Sequence, residues 1–234
     1  MLANLGRRIG ESLFSGSCYL CRGKAAAILC DACDADLPRL TGTLCPRCAL
    51  ASPGGAVCGR CLTLAPQYDA TVAALAYRFP SDVLIQALKF RGELALAPFL
   101  AAQLAPRLEA REPVDLILPV PLSARRLRER GYNQALEIAR AIARATGKRL
   151  ELELCGRERD TPAQVDLPLA DRAKNVRGAF HCPRLVAGAR IAVVDDVMTT
   201  GATLDEVAAT LKRAGAARVE NWVVARTFPP TPAY

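Results

Sequence analysis

The chain has 234 residues, 51% hydrophobic and 23% charged, with a formal net charge of +8; this is globular make-up, large enough for one domain plus a small companion, and it excludes a disordered or fibrous chain. No apolar run approaches the roughly 20 residues that span a bilayer, and the start, MLANLGRRIGESLFSG, has neither a continuous apolar core nor a cleavage site, so a cytoplasmic protein without membrane insertion is expected. The single histidine, His181, excludes His-based metal clusters and argues against a Ser-His-Asp triad.

Eight of the ten cysteines form four C-x-x-C pairs within the first 61 residues: Cys18/Cys21, Cys30/Cys33, Cys45/Cys48 and Cys58/Cys61. The short linkers between them cannot build a core, so this segment needs a staple. A C-x-x-C turn lets two thiolates converge on one tetrahedral ion, and two four-cysteine zinc sites are read ahead of disulfides, which a reducing compartment disfavours. Sequential ligation gives one ion Cys18, Cys21, Cys30 and Cys33 and the other Cys45, Cys48, Cys58 and Cys61; it is favoured over an interleaved cross-brace, which sequence alone leaves open. Each four-thiolate site with its divalent ion carries two negative charges, which brings the net charge to about +4. The remaining basic balance fits phosphate-rich ligands and is weak evidence for nucleic acid. Residues 1–66 are accordingly read as a double zinc ribbon and 67–234 as a second domain.

In that second part, DATVAALAYRF reads as a strand and PSDVLIQALKFRGELALAPFLAAQLAPRLEA as helix broken near Gly92. VDLILPVPL is an apolar run ending in Pro119 and Pro121, as for a buried strand. NQALEIARAIARATG is a helix with Leu136, Ala139, Ile142 and Ala143 apolar, ended by Gly147. RLELEL alternates as a strand, and ARIAVVDDV is another buried one. LDEVAATLKRAG puts Leu204, Val207, Ala208 and Leu211 on one face and stops at Gly215, before a last strand in ARVENWVVARTF. Strands alternating with helices imply an α/β domain with a mainly parallel sheet flanked by helices.

In such sheets ligands bind beyond the carboxyl ends of the strands. Asp195 and Asp196 stand at such an end, where both carboxylates are expected to turn into the crevice. The cluster Thr199, Thr200, Gly201, Ala202 and Thr203 then enters a helix; Gly201 permits close backbone approach, and successive amides make an anion nest at the helix start. Thr203 with Glu206 also fits a capping box, and the plain alternative is a capped helix beside solvent-facing acids. A phosphate next to a vicinal diol describes a ribose 5-phosphate. A strand-end acid pair also suits an NTPase metal site, but G-x-x-x-x-G-K-[ST] occurs nowhere.

IAVVDDVMTTGATL resembles the 5-phosphoribosyl 1-pyrophosphate (PRPP) loop of type I phosphoribosyltransferases: apolar run, acidic pair, two apolar residues, then T-[ST]-G-x-T. By that resemblance Asp195 and Asp196 bind ribose hydroxyls, Thr199 to Thr203 wrap the 5-phosphate, and Val197 and Met198 complete the PRPP-binding segment. PVPLSARRLRERGYNQ, residues 119–134, resembles the ComF-family pattern P-[VI]-P-L-x-x-x-R-x-x-x-R-G-[FY]-N-Q. Val120, Pro121, Leu122, Ser123, Arg126 and Arg130 would form its pyrophosphate loop, since arginine meets phosphate oxygens through paired hydrogen bonds. Val120–Pro121 is a candidate cis bond, and Arg125 and Arg128, on other faces, are read as solvated. LKFRGE resembles a further family segment, with Lys89 and Arg91 as phosphate contacts. RDTPAQVDLPLADRAKNVRGAF resembles the family's mobile loop, with Thr161, Gln164, Arg172 and Asn175 matching.

The resemblance implies a type I phosphoribosyltransferase fold with a small N-terminal zinc-ribbon domain, two structural zinc ions, and Mg²⁺ bound with PRPP. It implies displacement of pyrophosphate at the anomeric carbon by a nitrogen nucleophile on an acceptor the sequence does not name. Asp195, Asp196 and Arg126 would be the catalytic residues. It also implies a link to natural competence and DNA uptake, with single-stranded DNA and a DNA-uptake helicase as partners. Tyr19 is the only aromatic among the ribbon cysteines, which weakens the case for strong base stacking and leaves protein docking open. A non-catalytic PRPP-sensing or DNA- or protein-docking adaptor is the alternative.

Overall fold

The structure, a computed structural model, describes residues 16–109, 111–159 and 175–228. Its centre is a five-stranded parallel sheet in the order β1-β7-β6-β2-β3. The strands are β1 (Ala70–Ala76), β2 (Leu116–Pro119), β3 (Arg149–Leu150), β6 (Arg190–Met198) and β7 (Arg218–Arg226); β4 (Gly156–Arg157) and β5 (Phe180–His181) form a separate antiparallel hairpin. Every residue of β7 after Arg218 is buried, as expected of a parallel strand covered on both faces. No helix among the described residues is long and apolar enough to cross a membrane.

The helices of the large part are α3 (Ser81–Phe90), α4 (Leu96–Leu108), α5 (Ala124–Arg130), α6 (Gln134–Thr146) and α7 (Ala202–Arg213); two short ones, α1 (Asp31–Ala35) and α2 (Gly59–Thr63), belong to the cysteine-rich part. The expected break near Gly92 separates α3 from α4. Helix α6 is capped by Asn133, whose Oδ1 accepts from Ala135 N at 3.0 Å, and ends at Gly147 in the left-handed region. Its buried stripe is Ala135, Ile138, Ala139 and Ile142, rotated from the Leu136 and Ala143 positions read in the sequence. Leu204, Val207, Ala208 and Leu211 of α7 are buried as expected.

Two expectations fail, the first for an identifiable reason. Only Arg149–Leu150 of RLELEL enters the sheet. Glu151 N still donates to Ile117 O at 2.9 Å, but the next ladder bond in a parallel pair would need an N–H on residue 119, and Pro119 has none. Among the described residues the cis peptide is Phe79–Pro80, and Val120–Pro121 is not cis.

The cysteine-rich part straddles the β1 edge of the sheet. Leu40 N donates to Ala74 O at 2.9 Å and Ala76 N to Pro38 O at 2.8 Å, so residues 38–40 lie antiparallel along β1 and cover its open edge. On one side Cys18, Tyr19, Ile28, Leu29 and Leu37 join the core formed with α3, α4 and α6. On the other, Cys45, Cys48, Ala49 and Cys61 join the core that includes Tyr68, Met198 and the inner face of α7.

Candidate functional site

The cysteines fall into the two sequential groups, Cys18/Cys21/Cys30/Cys33 and Cys45/Cys48/Cys58/Cys61, with all four sulfurs of each group within 4.8 Å of one another. All ten cysteines are free of disulfides. The Cys21–Cys30 and Cys48–Cys58 sulfur separations are 3.7 and 3.6 Å, close to the ~3.8 Å edge of a tetrahedron built on Zn–S bonds. The donor set and its spacing fit zinc in both groups.

The sheet order fixes where a ligand crevice opens. From β2 the chain moves outward to β3, and from β6 it moves the other way to β7. The switch point therefore lies between β2 and β6, beyond their carboxyl ends. There Pro119, the last residue of β2, pairs with Val194, and β6 runs on alone on that side through Asp195, Asp196, Val197 and Met198. The acids thus sit on an overhanging strand, and alternation gives them opposite faces. Asp196 lies on the α3 and α6 face and is 2% exposed. Asp195, half-buried on the other, bends back so that its Oδ1 accepts from Asp196 N at 2.9 Å.

Asp196 is held from two helices. Lys89 Nζ of α3 lies 3.0 Å from its Oδ2, and Gln134 Nε2, the first residue of α6, donates to its Oδ1 at 3.4 Å. Arg130, at the end of α5, donates in turn to Gln134 Oε1 and sits over the exposed Phe90 ring, its guanidinium 5.4 Å from the centroid. The RGYNQ segment makes this connection possible. Gly131 turns in the left-handed region at φ 80° to end α5; Tyr132 Oη donates to Leu88 O, and Asn133 Nδ2 donates to Val120 O at 3.0 Å. Ser123 caps α5, accepting from Arg126 N at 3.4 Å. Arg125 pairs with Glu129 on the exposed face at 2.7 Å, in keeping with a solvated role.

The two carboxyls are shifted in opposite directions. Burial works against the Asp196 anion, but the Lys89 charge and the hydrogen bonds from Asp195, Lys89 and Gln134 together outweigh it and hold that carboxyl below its usual range. Burial likewise opposes the Lys89 ammonium, and Asp196 and Asp195 hold it above its usual range. Burial, then the Asp196 charge, pushes the Asp195 carboxyl well above the carboxylate range. Because its folded value is raised, Asp195 costs stability that builds as pH rises past the ordinary carboxylate pKa of about 4 and is complete once pH passes the folded value; below about 4 the cost is absent. Asp195→Asn is therefore expected to melt a few degrees higher than the parent at neutral pH, with the gap closing as a thermal denaturation series approaches pH ~4. A parent and variant that melt together at every pH would show that Asp195 bears no such load.

The threonine turn also departs from expectation. Helix α7 starts at Ala202 with Gly201 at its cap, φ 87°, and no capping side chain. Thr203 lies inside the helix. Glu206 instead turns to another partner: its Oε1 accepts from Gly178 N at 3.0 Å, tying Gly178 to α7. A side chain at position 201 is strained by the positive φ and would also press on Met198 Cε and Tyr68 Oη, 2.7 and 3.1 Å from where a Cβ would stand. Thr161, Gln164 and Arg172 lie outside the described residues, and Asn175 accepts from Arg159 through its carbonyl at 3.4 Å.

Lys89, singled out in the sequence as a phosphate contact, is the counter-charge of Asp196. Gln134 was not singled out, although it directly follows the capping Asn133. Arg226 was missed as well. It ends β7, is 1% exposed and donates to the carbonyls of Met198 and Thr199 at the opening of the threonine turn. A lone arginine at the end of an apolar strand was its only signal.

A double zinc ribbon domain model matches residues 9–62, and a phosphoribosyl transferase domain model matches residues 94–227. Among solved structures, the glutamine PRPP amidotransferase of B. subtilis aligns at 24% identity with a TM-score of 0.36, covering 55% of this chain and 25% of that one. A hypoxanthine phosphoribosyltransferase of Staphylococcus aureus aligns at 10% identity and a TM-score of 0.36, over 58% of this chain and 74% of that one. The curated relatives align almost end to end. DNA utilization protein YhgH of Salmonella typhimurium is 36% identical over 91% of this chain and 98% of its own length. Competence protein F of Haemophilus influenzae is 31% identical over 92% and 99%, and competence protein ComFC of Bacillus subtilis 26% identical over 85% and 84%. With such relatives matching from the cysteine pairs to the last strand, the chain belongs to the ComF family, a double zinc ribbon built onto a phosphoribosyl transferase domain.

Proposed function

We propose that the crevice between β2 and β6 binds PRPP with Mg²⁺ and that the protein transfers its phosphoribosyl group to a nitrogen acceptor. The observation that carries this reading is the near-buried Asp196, kept anionic by Lys89 at the switch point of the sheet and followed within five residues by the glycine turn into α7. A fixed carboxylate suits ribose hydroxyls, which donate to it. A run of backbone amides at a helix start suits a phosphate. In this assignment Asp195 and Asp196 hold the ribose, Thr199 to Thr203 wrap the 5-phosphate with Val197 and Met198 completing the PRPP-binding segment, and Val120 to Ser123 with Arg126 and Arg130 face the pyrophosphate. Thr161, Gln164, Arg172 and Asn175 belong to a covering loop. Residues 1–66 act as the zinc-ribbon domain and 67–234 as the transferase domain.

In the proposed reaction a C–N bond forms at the anomeric carbon as the C–O bond to pyrophosphate breaks, and pyrophosphate departs with the electron pair. Bound with PRPP, Mg²⁺ would supply charge neutralisation for the leaving pyrophosphate. Arg126 and Arg130 add fixed positive charge there, while Asp195 and Asp196 orient the ribose and stabilise its developing cation. No strong base is required to expel pyrophosphate. The names of the relatives, DNA utilization and competence, support a link to DNA; to this we add, as a proposal, a cytoplasmic role in DNA uptake with single-stranded DNA and an uptake helicase as partners.

Titration calorimetry with PRPP·Mg²⁺ tests the site: one binding event per chain is expected, and absence of heat would remove the reading. Pyrophosphate release in the presence of candidate bases or single-stranded DNA tests turnover. Binding with no release under any of them would make the site a PRPP sensor.

A further inference from the structure

We propose that Arg226 and Arg60 are positioning residues that turn the Met198–Gly201 loop into an anion cradle by holding three successive carbonyls on the side of the second zinc ribbon. The inference rests on the ribose-phosphate reading of that loop and adds to it the residues that set the loop's orientation, which come from the far end of β7 and from the ribbon.

Arg226 is buried, and the acceptors of its guanidinium are backbone carbonyls. Nη1 donates to Met198 O at 2.9 Å, to Thr199 O, and to Thr227 O at 2.8 Å; Nε donates to Cys48 O at 2.9 Å. Arg60 lies between two ligands of the second cysteine group, Cys58 and Cys61, and its Nη2 donates to Thr200 O at 3.0 Å. The carbonyls of residues 198, 199 and 200 are thus all drawn toward arginines. In a trans peptide the C=O and the N–H of one unit point in opposite directions. The units that carry these carbonyls also carry the N–H groups of Thr199, Thr200 and Gly201, which are therefore turned the other way. Among the described residues none of those three amides has a protein acceptor. Three consecutive N–H groups on one side of a turn, running into α7, form a nest for an anion.

The arginines achieve this without occupying the nest. A guanidinium has five donors in a rigid fork, so one side chain can fix several carbonyls at once. Gly201 completes the device. Its positive φ lets the chain leave the nest for the helix, and Tyr68 and the Met198 methyl close the back of the turn. Without the two arginines the peptide units of Thr199 and Thr200 are free to rotate, and an anion must then order them on binding.

The test is calorimetry with ribose 5-phosphate and, separately, magnesium pyrophosphate, because only the first should occupy this nest. Arg60 is exposed, so Arg60→Ala is expected to fold, keep its melting temperature and hold two zinc ions. Its affinity for ribose 5-phosphate should fall about 5- to 10-fold, the net worth of one typical hydrogen bond, with pyrophosphate binding unchanged; Arg60→Lys should recover part of the loss. Arg226→Lys, which keeps the charge but cannot span the same carbonyls, should lose more on ribose 5-phosphate and again spare pyrophosphate. A parent that fails to bind ribose 5-phosphate overturns the ribose-phosphate reading itself. If the parent binds, unchanged affinity in both arginine variants, or equal loss on both ligands, overturns the positioning role.

Discussion

Asp196→Ala is expected to lower the affinity for PRPP·Mg²⁺ by at least about 100-fold, because it removes a desolvated carboxylate that the ribose hydroxyls would meet; hydrogen bonds to charged groups contribute about 1.5–3 kcal/mol each. The substitution also strands Lys89, whose only acid within 4 Å among the described residues is Asp196, and breaking a buried pair costs about 3–5 kcal/mol. A loss of binding could therefore reflect a loosened fold. The double variant Lys89→Met/Asp196→Ala separates the two effects. Replacing both partners of a buried pair by apolar groups is often neutral, so the double variant should recover much of the melting temperature lost by Asp196→Ala. Binding of PRPP should stay lost in both. A double variant that binds PRPP as the parent does would show that Asp196 serves only to pair Lys89, and the proposed ribose site would fall with it.

What the sequence displayed and what it hid follow from the range of the interactions involved. Hydrophobic period reports which side of an element is covered, so the strands ending at Pro119 and Met198, the α3–α4 break and the inner face of α7 were all legible. The cysteine groups were legible because both ligands of each pair lie within one turn. Partners across space were not. Lys89 reads as a basic residue in a helix near other basic residues, and only the packing of α3 over β6 reveals the acid beneath it. The strand in RLELEL stops because of a missing donor on its neighbour Pro119, which nothing in RLELEL announces. Thr203 and Glu206 have the spacing of a capping box, yet Gly178 N takes the Glu206 carboxylate and a left-handed Gly201 starts the helix. Arg226 looks like the polar end of a strand until the ribbon's Cys48 carbonyl and the loop carbonyls are seen to converge on it.

That convergence gives the two zinc groups unequal consequences. Structural zinc contributes about 10–16 kcal/mol in small ribbon-type domains, as much as the whole margin of a typical domain, so a lost ligand is expected to unravel the ribbon that carries it. The first group, with Tyr19, Ile28 and Leu29, packs into the core shared with α4, on the sheet face away from the threonine turn. The second packs against Tyr68 and Met198 and reaches that turn through Arg60 and through Cys48 and Arg226. Cys30→Ser and Cys61→Ser should each reduce zinc from two ions to one per chain by metal analysis and lower the melting temperature. Only Cys61→Ser should also weaken PRPP binding, by at least about tenfold, since it frees the carbonyls of Thr199 and Thr200 together. Equal loss of affinity in the two variants would mean that the ribbons stabilise the protein in bulk; unchanged affinity in Cys61→Ser would mean that the turn holds its shape without the second ribbon.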